Sequence, residues 1–201
     1  MVLAVRREVV CAVYAKPLGY TAVIWAIGMP TMPETSYNCL MDTTEHEPFI
    51  RQCYELAQQA VAQGDHPFGA VLVKDGQVLL TAVNTIFSQR DITRHAEMNL
   101  VSQACRLLDG ETLAQCTLYT STEPCAMCTG AIFWAGIPTI VYGCDAVALG
   151  NIATGRFVVP SRELLARATR PTTVIGPVLP EEGCALHLAY WPLRYGQSLA
   201  E

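Results

Sequence analysis

Thr120 to Gly136 reads TSTEPCAMCTGAIFWAG. Within it the chain passes from a β-rich run to a small-residue apolar run, with a proline and two cysteines at the junction. CTLYTS, Cys116 to Ser121, has the composition of a short strand. Pro124 holds the place of a first helical residue, where its missing N–H is no loss and its fixed φ already suits a helix. The strand therefore ends and a helix opens at Cys125-Ala126-Met127-Cys128. Thiols at a helix N-terminus are candidates for chemistry, because the helix end favours the thiolate.

Outward from this junction, strands and helices alternate. FGAVLVKDGQVLLTAVN, Phe68 to Asn84, is two β-rich runs around Asp75-Gly76, a pair whose tolerance of positive φ suits a tight hairpin. Ahead of it, MDTTEHEPFIRQCYELAQQAVAQGD starts at Met41 as a polar lead into an amphipathic helix. Phe49, Ile50, Cys53, Tyr54, Leu56, Ala57, Ala60 and Val61 recur at helical spacing, and Thr44 with Glu47 has the form of a capping box. HAEMNLVSQACRLL, His95 to Leu108, reads as a helix with Met98, Val101, Ala104, Cys105 and Leu108 inward. Past the cysteines come a strand over IPTIVYG, Ile137 to Gly143, a helix near Ser161 to Ala168, and a fifth strand over TTVIGPV, Thr172 to Val178. The pattern predicts an α/β chain, a three-layer α/β/α sandwich with a five-stranded mixed sheet covered on both faces. Residues 1–40 are expected to be an N-terminal appendage or sequence upstream of the true start. Residues 41–201 are the domain, with 179–201 a C-terminal extension.

Composition excludes several classes of function. With 51% hydrophobic and only 15% charged residues the chain is globular, and a formal net charge of −5 argues against a protein that clamps a phosphate backbone. The apolar run YTAVIWAIGM, Tyr20 to Met29, is too short to span a bilayer. Lys16 and Pro17 interrupt any signal-peptide pattern before it. The nine cysteines lack the regular spacing of a disulfide framework, so they are expected to be mostly reduced thiols in a cytoplasmic setting.

A CxxC pair serves redox chemistry, a structural zinc or a catalytic metal. A hairpin and a helix ahead of the motif fit a thioredoxin-like order poorly. Structural zinc needs four protein ligands, and no second CxxC or His pair stands at a usual spacing. Catalytic zinc needs three ligands and an open position. Among His46, His66, His95 and His187, the candidate third ligand is His95, which opens its own helix as the cysteines open theirs. Positions i and i+2 do not share a helix face, so His95 must sit at the non-helical cap if Glu97 is to reach the same site.

His95-Ala96-Glu97 followed by Pro124-Cys125-Ala126-Met127-Cys128 resembles the H-x-E, P-C-x-x-C signature of the zinc nucleobase deaminases, the cytidine deaminase superfamily. The resemblance runs from about Phe49 to Gly143, and DHPFGAVLVKDG, TRHAEM and TSTEPCAMCTGAIFWAG look most like guanine deaminases and related bacterial nucleoside deaminases. It implies Zn2+ held by His95, Cys125 and Cys128, with Glu97 as the proton carrier. It also implies Asn84 as a substrate-binding residue and an acidic residue beyond the fourth strand that grips a purine. Asp145 is the acid between Gly130 and Arg162 that occupies such a place, although YGCDAVALGN departs from the guanine deaminase pattern, as does GPVLPEEGCALHLAYW. Phe68 and Trp134 are the aromatic candidates for the walls of a base pocket.

The expected function is hydrolytic release of ammonia from an amino-substituted nucleobase or nucleoside, with a guanine-like purine the leading substrate. A tRNA adenosine deaminase and a zinc-stabilised binding module without activity are the alternatives. The first should show clustered basic residues, whereas Lys74, Arg90 and Arg94 are scattered. The second has no need of Glu97. Expected partners are the small-molecule substrate and a second copy of the chain, with neither membrane nor nucleic acid among them.

Overall fold

The computed structural model describes residues 43–155 and 157–198. The appendage expected over residues 1–40 lies outside them. A single 3-10 turn, Thr44–His46, runs straight into helix α1, Glu47–Ala62. The chain is already helical at Thr44, so the N-cap of α1 is His46, which makes no side-chain cap. Ile50, Cys53, Tyr54, Ala57 and Ala60 form the buried stripe that the spacing predicted.

Strands β1, Gly69–Lys74, and β2, Gln77–Val83, are joined at Asp75 and Gly76, whose φ values of 51° and 72° are the positive pair that a two-residue hairpin turn requires. Helix α2, Ala96–Leu107, a short α3, Gly110–Leu113, and strand β3, Thr117–Thr122, follow. Then come α4, Ala126–Ala135, and β4, Thr139–Cys144. The sheet order is β2-β1-β3-β4-β5, where β5 is Thr173–Ile175. β1 pairs antiparallel with both β2 and β3, and β3, β4 and β5 run parallel.

Alternation along the inner strands sorts the core into two layers. Ala70, Leu72, Leu118 and Ile140 face α2 and α4 and pack with Leu100, Ala104 and Ile132. Val71, Val73, Tyr119 and Val141 face the other way, onto Ile50, Cys53 and Tyr54 of α1. This is the three-layer sandwich expected, and burial on both faces is why β1 reads as an almost continuous apolar run.

Two details differ from the pattern reading. The inward face of α2 is Ala96, Glu97, Leu100, Val101 and Ala104, while Cys105 is exposed and Met98 only half-buried. The helix is rotated because a charged residue, Glu97, is turned inward, and a hydrophobic pattern discounts such a residue. Helix α5 spans Ala146–Ile152, α6 spans Ser161–Leu165 and α7 spans Pro180–Ser198. The pattern reading also gave neither α5 nor α7, though it expected a helix near Ser161. Pro180 at the first position and Glu181 and Glu182 in the first turn favour a helix start, but Gly183 and the internal Pro192 lower its intrinsic propensity. Packing supplies the remainder, with Tyr54 Oη donating to the Leu179 carbonyl at 3.0 Å just ahead of α7.

Candidate active site

Two helices begin at the same place in space. His95 is the N-cap of α2 (φ −64°, ψ 155°) and Cys125 the N-cap of α4 (φ −65°, ψ 171°), both extended rather than helical. Pro124 thus lies one residue ahead of the cap and not inside the helix. The extended cap turns the His95 ring toward the cysteines while Glu97, two residues on, enters from the first turn of α2. His95 Nδ1 lies 3.7 Å from Cys125 Sγ and 3.5 Å from Cys128 Sγ, and the two sulfurs are 3.6 Å apart. Tetrahedral zinc, with Zn–S of about 2.3 Å and Zn–N of about 2.0 to 2.1 Å, places neighbouring donors roughly 3.6 to 3.8 Å apart. The three donors fit such an ion, and the set leaves one corner open.

Electrostatics suit that reading. Both helix N-termini point positive ends at the site. Hydrogen bonding to Cys128 pulls the Cys125 thiol down to about 4, while that same bond and burial push Cys128 up. Hydrogen bonding to Cys125 raises His95. Glu97 is 4% exposed, and burial raises its carboxyl above the ordinary range. Its Oε1 accepts a hydrogen bond from Thr120 Oγ1 of β3 at 3.1 Å, and its Oε2 lies 3.6 Å from Cys128 Sγ on the metal side.

A cavity of about 260 Å³ opens beside the donors, lined by His95, Cys125, His66, Phe68, Glu123 and Trp191, with apolar residues from α5 to Val159 completing it. Residues 43–144 match the family model described as the cytidine and deoxycytidylate deaminase zinc-binding region. The chain belongs to this deaminase family. A probable cytosine deaminase of Schizosaccharomyces pombe is 34% identical over 148 residues, 71% of this chain and 90% of the relative. The guanine deaminase of Bacillus subtilis is 42% identical over 101 residues, 50% of this chain and 65% of the relative. A solved 8-azaguanine complex superposes with a TM-score of 0.65 at 27% identity, covering 73% of this chain and 85% of that one. tRNA-specific adenosine deaminases also match, over about half of the chain. The protein is a zinc-dependent hydrolase that acts on the C–N bond of a cyclic amidine, and its cofactor is Zn2+.

Of the substrate residues expected in this deaminase, one lines the cavity and a second is hydrogen-bonded to the first through the backbone. Phe68 lines the cavity. Asn84, fully buried at the end of β2, donates its backbone N–H to the Phe68 carbonyl at 3.0 Å. Its Oδ1 accepts from Ile86 N at 3.1 Å, which fixes the amide, and its Nδ2 is a buried donor without a protein partner.

The other two do not line the cavity. Trp134 is 85% exposed, its ring edge-on to Phe133, because the inward side of α4 is taken by Cys128, Thr129 and Ile132. Asp145 is the N-cap of α5, its carboxylate accepting from Ala148 N at 2.8 Å, and it does not line the cavity. A short polar residue ahead of a helix is drawn to cap it, and α5 was not foreseen.

Sequence reasoning missed Glu123 and two residues of α7. The Glu123 carboxylate accepts from Ser161 N and Oγ at 2.8 and 2.7 Å and from Ala146 N at 3.0 Å, and so ties α5 and α6 to the end of β3. His187, 0% exposed, accepts at Nδ1 from Trp191 Nε1 at 3.2 Å. Its other nitrogen must then carry the proton and donate to Thr122 Oγ1, 2.7 Å away. Trp191 packs edge-on against His66, with ring centroids 4.8 Å apart. The i, i+4 spacing of His187 and Trp191 was a usable signal once α7 was known to be a helix.

Proposed function

We propose that this deaminase acts on a free purine base, guanine or a close analogue. The observation that carries the reading is the cavity of about 260 Å³ beside the donors, walled by Phe68 and by Trp191 of α7, which is the scale of a single base. His95, Cys125 and Cys128 hold the zinc, which supplies Lewis-acid polarisation and a lowered pKa for water. Glu97 does the proton work. Thr120 anchors Oε1, so Oε2 is the oxygen that takes the proton from the water, delivers it to the ring nitrogen beside the amidine carbon, and passes a second to the departing ammonia. Burial of Glu97 supports this role, since a raised pKa lets one carboxyl both accept and release protons near neutrality. Asn84 Nδ2 is the donor suited to a carbonyl oxygen or ring nitrogen of the base, and Phe68 is the face on which the ring rests.

The test is ammonia release from guanine, cytosine, adenine, guanosine and a tRNA anticodon stem-loop. Guanine turnover that disappears in Glu97→Gln with zinc retained is expected, a loss of roughly 10² or more. Turnover of the stem-loop or of cytosine with none of guanine would overturn the purine-base reading. Zinc loss in Glu97→Gln would place that residue in the metal site rather than in proton transfer.

A further inference from the structure

Cys144 ends β4 and Cys184 lies in the first turns of α7. Their sulfurs are 3.7 Å apart, and both are free thiols. The approach is built into the packing. A Cβ placed on Gly183 would meet Cys144 Cβ at 3.0 Å, Cys144 N at 3.1 Å and Tyr54 Oη at 2.7 Å, so only glycine lets the α7 backbone lie this close to the end of β4. Tyr54 fixes the same corner from the other side through the Leu179 carbonyl. The two thiols differ in access. Cys144 is fully buried and Cys184 partly exposed. Burial, with Cys184 adding to it, also raises the Cys144 thiol, which therefore stays protonated. Neither cysteine belongs to the zinc set of His95, Cys125 and Cys128.

We propose that Cys144 and Cys184 are a modification site, a reversible dithiol that takes a hydroperoxide as its oxidant. The Cys184 thiolate attacks the terminal peroxide oxygen. An S–O bond forms, the O–O bond breaks, and the alkoxide or hydroxide released takes a proton and leaves as alcohol or water. The Cys144 sulfur then attacks the Cys184 sulfur. The S–S bond forms, the S–O bond breaks, and the departing hydroxide carries off the Cys144 proton as water. Two electrons pass from the thiol pair to the peroxide. Along α7, Cys184, His187 and Trp191 fall at i, i+3 and i+7 and share a face, so the bond pins to β4 the same side of the helix that walls the cavity.

The experiment treats the zinc-loaded full chain with hydrogen peroxide, maps disulfides by mass spectrometry, assays zinc, and follows protease cleavage within α7. The expected result is a cross-link between the Cys144 and Cys184 peptides that a dithiol reductant removes, unchanged zinc, and slower cleavage of α7. Cys184→Ser should lose the cross-link and the change in cleavage while keeping its zinc. The wild-type map decides the matter even if that variant folds poorly. The proposal is overturned if Cys144 and Cys184 remain alkylatable while other cysteines oxidise, if Cys184 over-oxidises without pairing, or if the disulfide that forms joins Cys125 to Cys128 with release of zinc.

Discussion

The metal side of the cavity and its outer side are held by different kinds of contact. On the metal side, every functional group sits within two residues of a helix cap or one turn into the helix, and β3 lies beneath them with Thr120 on Glu97. The geometry follows from local backbone conformation. On the outer side, α7 reaches the cavity from the far end of the chain and is held by Tyr54, by the His187–Thr122 bond and by aromatic packing around Trp191. Chemistry is thus placed by short-range structure and access by long-range docking, and the two sides should fail separately.

The largest separation is expected from Cys128→Ala. Three protein donors are the minimum for a catalytic zinc site, so zinc content should fall from about one per chain to near none and turnover should vanish, read by metal analysis and ammonia release. Retention of α7 docking in that variant, measured by protease resistance, would sharpen the contrast. Simultaneous collapse of both sides would break it.

An intermediate effect is expected from acid. Burial holds His187 down to about 4, and it is neutral against Thr122 and Trp191. Its folded pKa lies below the unfolded value of about 6.5. The unfolded chain therefore binds the extra proton first as pH falls, and the stability that the neutral ring contributes is complete above about pH 6.5 and is lost toward pH 4. His66, likewise brought to about 4 by burial, adds in the same window. Urea midpoints from pH 7 to 4 should decline, and His187→Gln should flatten the decline. An equal slope in that variant would remove His187 as a source.

The smallest effect is expected from Asp145→Asn. Asparagine caps a helix about as well as aspartate, so guanine turnover, zinc content and melting temperature should all stay near wild type. A tenfold loss of kcat/KM for guanine with stability intact would restore Asp145 as a recognition group and move specificity back to the β4–α5 junction.

The contrast between the two sides also explains what could be read from the chain. The strand-to-helix junction at Pro124, the hairpin at Asp75-Gly76 and the histidine cap were legible because each is fixed by residues a few positions apart. The requirement that His95 be non-helical so that Glu97 could follow it into the site is met in the structure. The exposure of Trp134 was not legible because an apolar helix with little amphipathic contrast does not say which side is inward. The capping role of Asp145 was not legible because α5 was missed. His187 and Trp191 stayed hidden because their partners Thr122 and His66 lie 65 and 125 positions away. Among the described residues no helix is long and apolar enough to cross a membrane.

The late position of α7 also orders events during synthesis. His95, Glu97, Cys125 and Cys128 all leave the ribosome before Pro180 does, and chains fold from the N-terminal side as they emerge. A nascent chain has therefore exposed its whole donor set before the helix that carries Trp191 to the cavity is made.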